Sequence, residues 1–221
     1  MFKGLVRTTV PLVAFGVGLA AFPALWRKSS WNQRKLLHTN DDVVRQIELL
    51  DEFQHLAKDA NVELTYSSHT FPEQHHLSHV GVALLQGKDL HEIDPIIFVD
   101  HVQHQLTGFY HLGNKLVSQD GGIHNGIVAT IFDEGMVYCG FPLLPSGRGV
   151  TAKLSVDFAS QAPPNTTVVL KTRVVEHKGR KVVVEGVLET LAHDTAPVKI
   201  ASARAVFVEP RWFKYFRWLQ V

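Results

Sequence analysis

The stretch Gly121-Gly122-Ile123-His124-Asn125-Gly126-Ile127-Val128-Ala129-Thr130-Ile131-Phe132-Asp133-Glu134 reads as a glycine-marked turn running into a helix that carries a carboxylate pair more than two turns later. Ile123, Ile127, Ile131, Gly135 and Cys139, with Val128 and Phe132 beside them, recur at helical spacing and form one apolar stripe, which predicts a helix over about 123–139. At about 100° per residue, Asp133 falls opposite the centre of that stripe, in line with Gly126, Thr130 and Val137, and Glu134 falls at its margin. One face of the helix is core; the other meets something else.

The two ends of this helix offer different chemistry. The turn end carries the positive pole of the helix dipole and free backbone N–H groups around Asn125 and Gly126, which can polarise a carbonyl or hold a developing oxyanion. The other end offers the Asp133 carboxylate as base or nucleophile. His124 and Asp133 are nine residues apart, which at helical rise is about 13 Å, too far for both ends of one helix to act on one carbonyl. Two antiparallel copies would bring one end of each helix to the opposite end of the other.

Downstream, Phe141 to Gly147 is a loop by its Pro and Gly content, and four strand-like runs follow at about 148–162, 166–177, 180–191 and 198–208. Leu154, Val156 and Phe158 alternate as a half-buried strand does, and the short connections suit an antiparallel meander. Upstream, Val80–Leu85, Pro95–Val99 and Gln105–Leu112 are short apolar runs, further strand candidates. A helix followed by an antiparallel sheet is an α+β layout in which the helix buries its stripe against the sheet.

These residues carry a family resemblance. His124-Asn125-Gly126 followed by Asp133 resembles the His-Gly-Gly-x-x-x-x-x-x-Asp helix of hotdog-fold acyl-CoA thioesterases, PaaI-like and mitochondrial long-chain types. The strand Thr151-Ala152-Lys153-Leu154-Ser155-Val156-Asp157-Phe158 and the hairpin Val174 to Lys181 resemble the same family. The resemblance implies a hotdog fold, an antiparallel sheet wrapped around the central helix, at least dimeric, with fatty acyl-CoA as substrate and no cofactor or metal. It implies Asp133 as base or nucleophile, buried at a subunit interface that would raise its pKa, and the backbone at Asn125 and Gly126 as oxyanion site. His124 would orient the turn or the substrate, Thr151 would line the pocket, and Lys178, Gly179, Arg180 and Lys181 would approach the phosphates of coenzyme A. Where the family has its second glycine this chain has Asn125; the N–H that matters is backbone, so either a working hole or a non-catalytic acyl-CoA or lipid-binding module follows. A hotdog hydratase is a poorer match, since Asp120 and His124 only loosely imitate its Asp/His pair.

The remainder of the chain frames this domain. Residues 1–40 hold Lys3, Arg7, Arg27, Lys28, Arg34 and Lys35 and no acid, whereas the body is mildly acidic, which argues against a nucleic-acid partner. Between Arg7 and Arg27, residues 8–26 are uncharged and mostly apolar, about 28 Å as a helix, enough to approach the thickness of a bilayer core. With the resemblance, an acid-free leader of this kind reads as mitochondrial import, with persistence as a membrane anchor the open variant. The tail 211–218 interleaves Trp212, Phe213, Tyr215, Phe216 and Trp218 with Arg211, Lys214 and Arg217, a composition suited equally to a membrane interface and to packing on the domain. Expected organisation is therefore a leader or anchor at 1–35, a helical and loop extension at 36–94, a hotdog domain at 95–208 and an aromatic basic tail at 209–221. Asp41 opens an amphipathic accessory helix, capped by Thr39 or Asn40 and running to about Ala60.

Cys139, the only cysteine, excludes an intramolecular disulfide and reads as a core residue of the stripe. The pairs His76/His79 and His101/His104 have helix-like spacing but no surrounding ligand framework, so they read as loop histidines.

Overall fold

In a computed structural model, residues 39–70, 76, 78–191 and 196–215 are described. The leader expected at 1–35 and the tail beyond 215 lie outside them. Among the described residues, seven antiparallel strands form one sheet in the order β1-β2-β3-β5-β6-β7-β4. These are β1 (Val62–Tyr66), β2 (Ile96–Asp100), β3 (Gln105–Leu112), β4 (Val150–Phe158), β5 (Thr166–Lys178), β6 (Lys181–Thr190) and β7 (Lys199–Val208). The connection from β3 to β4 contains the central helix and spans the sheet, so β4 ends as the edge strand beside β7. The sheet wraps the helix in the hotdog arrangement, with the four downstream strands where the sequence placed them.

The central helix occupies Asn125–Gly140, with His124 as its N-cap. Val128, Ile131, Phe132, Met136 and Cys139 are buried with Leu170, Val184, Leu188 and Phe207 of the sheet, so the expected stripe is the core face. Two glycines let helix and sheet approach closely: a Cβ on Gly135 would stand 2.3 Å from Leu170 Cδ2, and one on Gly140 2.8 Å from Phe207 Cδ2. Cys139 lies in this core, its Sγ 3.2 Å from Thr172 Oγ1, and burial pushes the thiol up to about 11.

On the outer face a second cluster forms. The accessory helix is two helices, Asp41–Glu48 and Asp51–Lys58, not the single one expected to Ala60; the chain breaks at Leu49–Leu50, where Leu50 is extended. The break lets Ile47 and Phe53 both reach Ile96, Phe98, Phe109 and Val169, with Phe53 edge-on to Phe98 at 5.0 Å. Asn40 caps the first helix, accepting from Val43 N–H at 3.4 Å, and its amide donates to Glu92 at 2.8 Å. Strands β2 and β3 therefore bury both faces, whereas β1 at the other edge has the weak pattern that hid it in the sequence. Within the apolar run Val80–Leu85, expected as a strand, Val80–Leu84 is a single π-helical turn. The segment closes on itself instead, Leu85 N–H donating to the Val80 carbonyl at 3.0 Å with His79 as its cap.

Candidate functional site

Asp133 sits on the helix face turned away from the sheet core, half-buried, as its phase predicts. Its Oδ1 accepts the Thr151 hydroxyl at 2.8 Å. Thr151 reaches it because β4 carries a bulge between Thr151 and Lys153. Leu154 and Val156 pack inward on the core; strict alternation would put Ala152 on that side, and the extra residue hands the place to Thr151.

At the helix start, His124 Nδ1 accepts the Gly126 N–H at 2.9 Å. Of the two amides expected at an oxyanion site, that of Gly126 is thus already engaged in the cap. The Asn125 N–H, first of the helix, has no partner among the described residues, and its side chain is exposed. The structure does not bring His124–Gly126 to Asp133 within the chain; the helix rise keeps them about 13 Å apart.

The hairpin tip Lys178–Lys181 lies at the same end of the sheet as Thr151, since Val182 pairs with Phe207 and Phe207 with Thr151, about 10 Å across two strand spacings. Gly179 takes a left-handed φ of 58° that only glycine adopts without strain. Arg180 is a strut: its guanidinium donates to the Glu209 carbonyl at 2.7 Å, while buried Glu209 accepts Ser146 N–H at 2.8 Å. Lys181 pairs with Glu176 at 3.1 Å, and Lys178 is exposed.

Sequence reasoning missed the surroundings of Glu134, which it placed only at the stripe's margin. The carboxyl is covered by the Val80–Leu84 turn, and Gly81 N–H donates to its Oε1 at 3.2 Å. Burial, with a smaller push from the Asp133 charge, raises it to about 7. Tyr110 and Tyr138 are buried near it, and Tyr138 donates to Ser67 Oγ at 3.1 Å. The partner Gly81 is 53 residues away in sequence, so no local signal exposes the contact. Among the described residues no three or more His, Cys, Asp or Glu gather as a metal site; His101 instead bonds Glu63 at 2.8 Å.

A sheet wrapped around one helix, with an acid on the helix's free face, is the hotdog arrangement. The family model described as the thioesterase superfamily matches residues 120–195, which span this helix, β4, β5 and β6. The chain belongs to that superfamily. It is 58% identical to an uncharacterized mitochondrial protein of Candida albicans across the full length of both. It is 35% identical to MIOREX complex component 3 of Saccharomyces cerevisiae, covering 100% of this chain and 97% of that one. Among solved structures, a Streptococcus mutans protein bound to acetyl CoA matches 48% of this chain and 81% of its own at 17% identity, TM-score 0.41. The PaaI protein of E. coli matches 48% and 76% at 11% identity, TM-score 0.41.

Proposed function

We propose that the protein is an acyl-CoA thioesterase that hydrolyses fatty acyl-CoA to free fatty acid and CoA. The observation that carries this reading is Asp133: a carboxylate on the free face of the central helix, held by the Thr151 hydroxyl so that one oxygen is oriented and the other is left to act. Asp133 takes the proton of a water as its oxygen attacks the thioester carbon. The carbonyl electrons move onto oxygen, and the Asn125 N–H of the partner subunit donates a hydrogen bond to that oxyanion. Collapse of this intermediate breaks the C–S bond, and the proton on Asp133 passes to the departing thiolate. The alternative route, direct attack by Asp133 to give an anhydride that water then opens, uses the same group.

A second copy enters through β4. This nine-residue edge strand leaves Val150 and Phe158 exposed, 45% and 46%, the kind of open edge that proteins pair or cover. Antiparallel pairing of β4 with its copy sets the two helices antiparallel, each Asp133 towards the other's helix start. A homodimer, or a dimer of dimers, completes two equivalent sites. Lys178 and Lys181 at the adjoining hairpin tip, turned by Gly179 and braced by Arg180, offer cations to the coenzyme A phosphates.

The Candida relative described as mitochondrial, together with the acid-free basic leader, supports a mitochondrial location. Membrane contact is a further part of the proposal, through residues 8–26 and 211–218; among the described residues no helix is long and apolar enough to cross a membrane, and Trp212 is 56% exposed. The rival reading, a non-catalytic acyl-CoA or lipid-binding module, is favoured by one observation: the His124 cap leaves one open amide where two were expected. Thiol release from a panel of acyl-CoAs, wild type beside Asp133→Asn, decides between them. Hydrolysis that collapses in the variant supports the enzyme; saturable binding without hydrolysis supports the binder.

A further inference from the structure

The Val80–Leu84 turn meets the central helix at the residue beside Asp133. A Cβ on Gly81 would stand 2.0 Å from Glu134 Oε2, so the carboxyl lies directly on the Gly81 backbone, a contact that a side chain there would prevent. Gly81 N–H donates to the same carboxyl through Oε1. His79 caps the turn, its Nδ1 3.4 Å from Val82 N, and that nitrogen is 3.9 Å from Glu134 Oε1. Burial and neighbouring His76 hold the His79 imidazole below its usual range, which suits a ring nitrogen that accepts.

The turn has two sides. Val82 is buried at 3%, whereas Val80 and Leu84 are 48% and 68% exposed. In a π-helical turn, with about four and a half residues per turn, positions four apart stand side by side. Val80 and Leu84 therefore form one apolar edge, opposite buried Val82, on a segment whose backbone is held by Glu134, the residue that follows Asp133.

We propose that Glu134 is a positioning residue for acyl-chain recognition: through the Gly81 amide it fixes the Val80–Leu84 turn beside Asp133, and Val80 and Leu84 contact the fatty acyl chain beyond the thioester. The inference rests on the proposed acyl-CoA reading and deepens it. Each methylene of substrate that loses apolar contact weakens binding about fourfold, so the effect of removing the edge grows with chain length.

The test uses the full chain and two readouts. Affinity is measured for thioether analogues of acyl-CoA, which cannot be hydrolysed, from butyryl to palmitoyl, and kcat/KM for the matching thioesters. Leu84→Ser and Glu134→Ala are expected to weaken the palmitoyl analogue about tenfold more than the butyryl analogue. Glu134→Gln, which keeps an acceptor for Gly81 N–H, is expected to restore the long-chain affinity that Glu134→Ala loses. Equal effects on both analogues, or no effect of Leu84→Ser, overturn the proposal. Leu84 faces solvent, so its variant carries the test even where Glu134→Ala fails to fold. A wild type that binds by chain length but hydrolyses nothing defeats the hydrolase reading alone; one that hydrolyses while Leu84→Ser changes nothing defeats this inference alone.

Discussion

The Thr151 hydroxyl donates to Asp133 Oδ1 at 2.8 Å, joining the edge strand to the free face of the central helix. This bond fixes which carboxylate oxygen is occupied and ties the site to the strand through which a second copy would pair. Thr151→Val keeps the shape of the strand residue and removes the donor. Misorienting the acting carboxylate should lower kcat/KM roughly ten- to a hundred-fold, with little change in melting temperature because the pair is solvent-accessible and its net contribution to stability small. Thiol release and thermal melting on the same samples check both halves.

Asn125 is the first residue of the helix, where proline is tolerated, and His124 before it has φ −65° and ψ 130°, an extended conformation that a following proline accepts. Asn125→Pro therefore deletes the open amide without breaking the helix. If that amide holds the oxyanion, kcat should fall about 100- to 1,000-fold while the circular dichroism spectrum is unchanged.

Glu134 titrates at about 7 in the folded chain against an ordinary 4.5. Between those values the folded state holds a proton that the unfolded chain has released, so stability is full below about pH 4.5, falls as pH rises to about 7, and is level above it. The loss is on the order of 3 kcal/mol at most. Melting of wild type and Glu134→Gln at about pH 5 and about pH 8 isolates it: the variant should lose less stability between the two.

Gly135 faces Leu170 and the Tyr110 hydroxyl, with room for no methyl group. Gly135→Ala should cost about 1–3 kcal/mol through displaced packing, read as a lower melting temperature.

The central helix and four downstream strands were legible because their periodicities are local: Ile123, Ile127 and Ile131 mark one helix face, and Leu154, Val156 and Phe158 one strand face. Asp133 was legible for the same reason, as a phase on a helix. What escaped depends on contacts made at long range or on backbone detail. The apolar run Val80–Leu84 has the composition of a strand, yet its backbone closes on itself behind a His79 cap and its Gly81 amide turns to Glu134. The accessory helix breaks at Leu49–Leu50, two apolar residues that continue the pattern while the backbone does not. His124 as N-cap is also hidden, since an imidazole is not among the usual capping side chains, and with it the engagement of the Gly126 amide.

The central claim is that Asp133 of one subunit and Asn125 of the other build one hydrolytic site. Co-expression of Asp133→Asn with Asn125→Pro tests it most directly. Each variant alone should release almost no thiol from acyl-CoA. In a mixed dimer, one of the two sites combines the intact Asp133 with the intact Asn125, so random pairing should restore about a quarter of wild-type activity. Mixed preparations that form dimers yet stay as inactive as the separate variants would contradict the shared site.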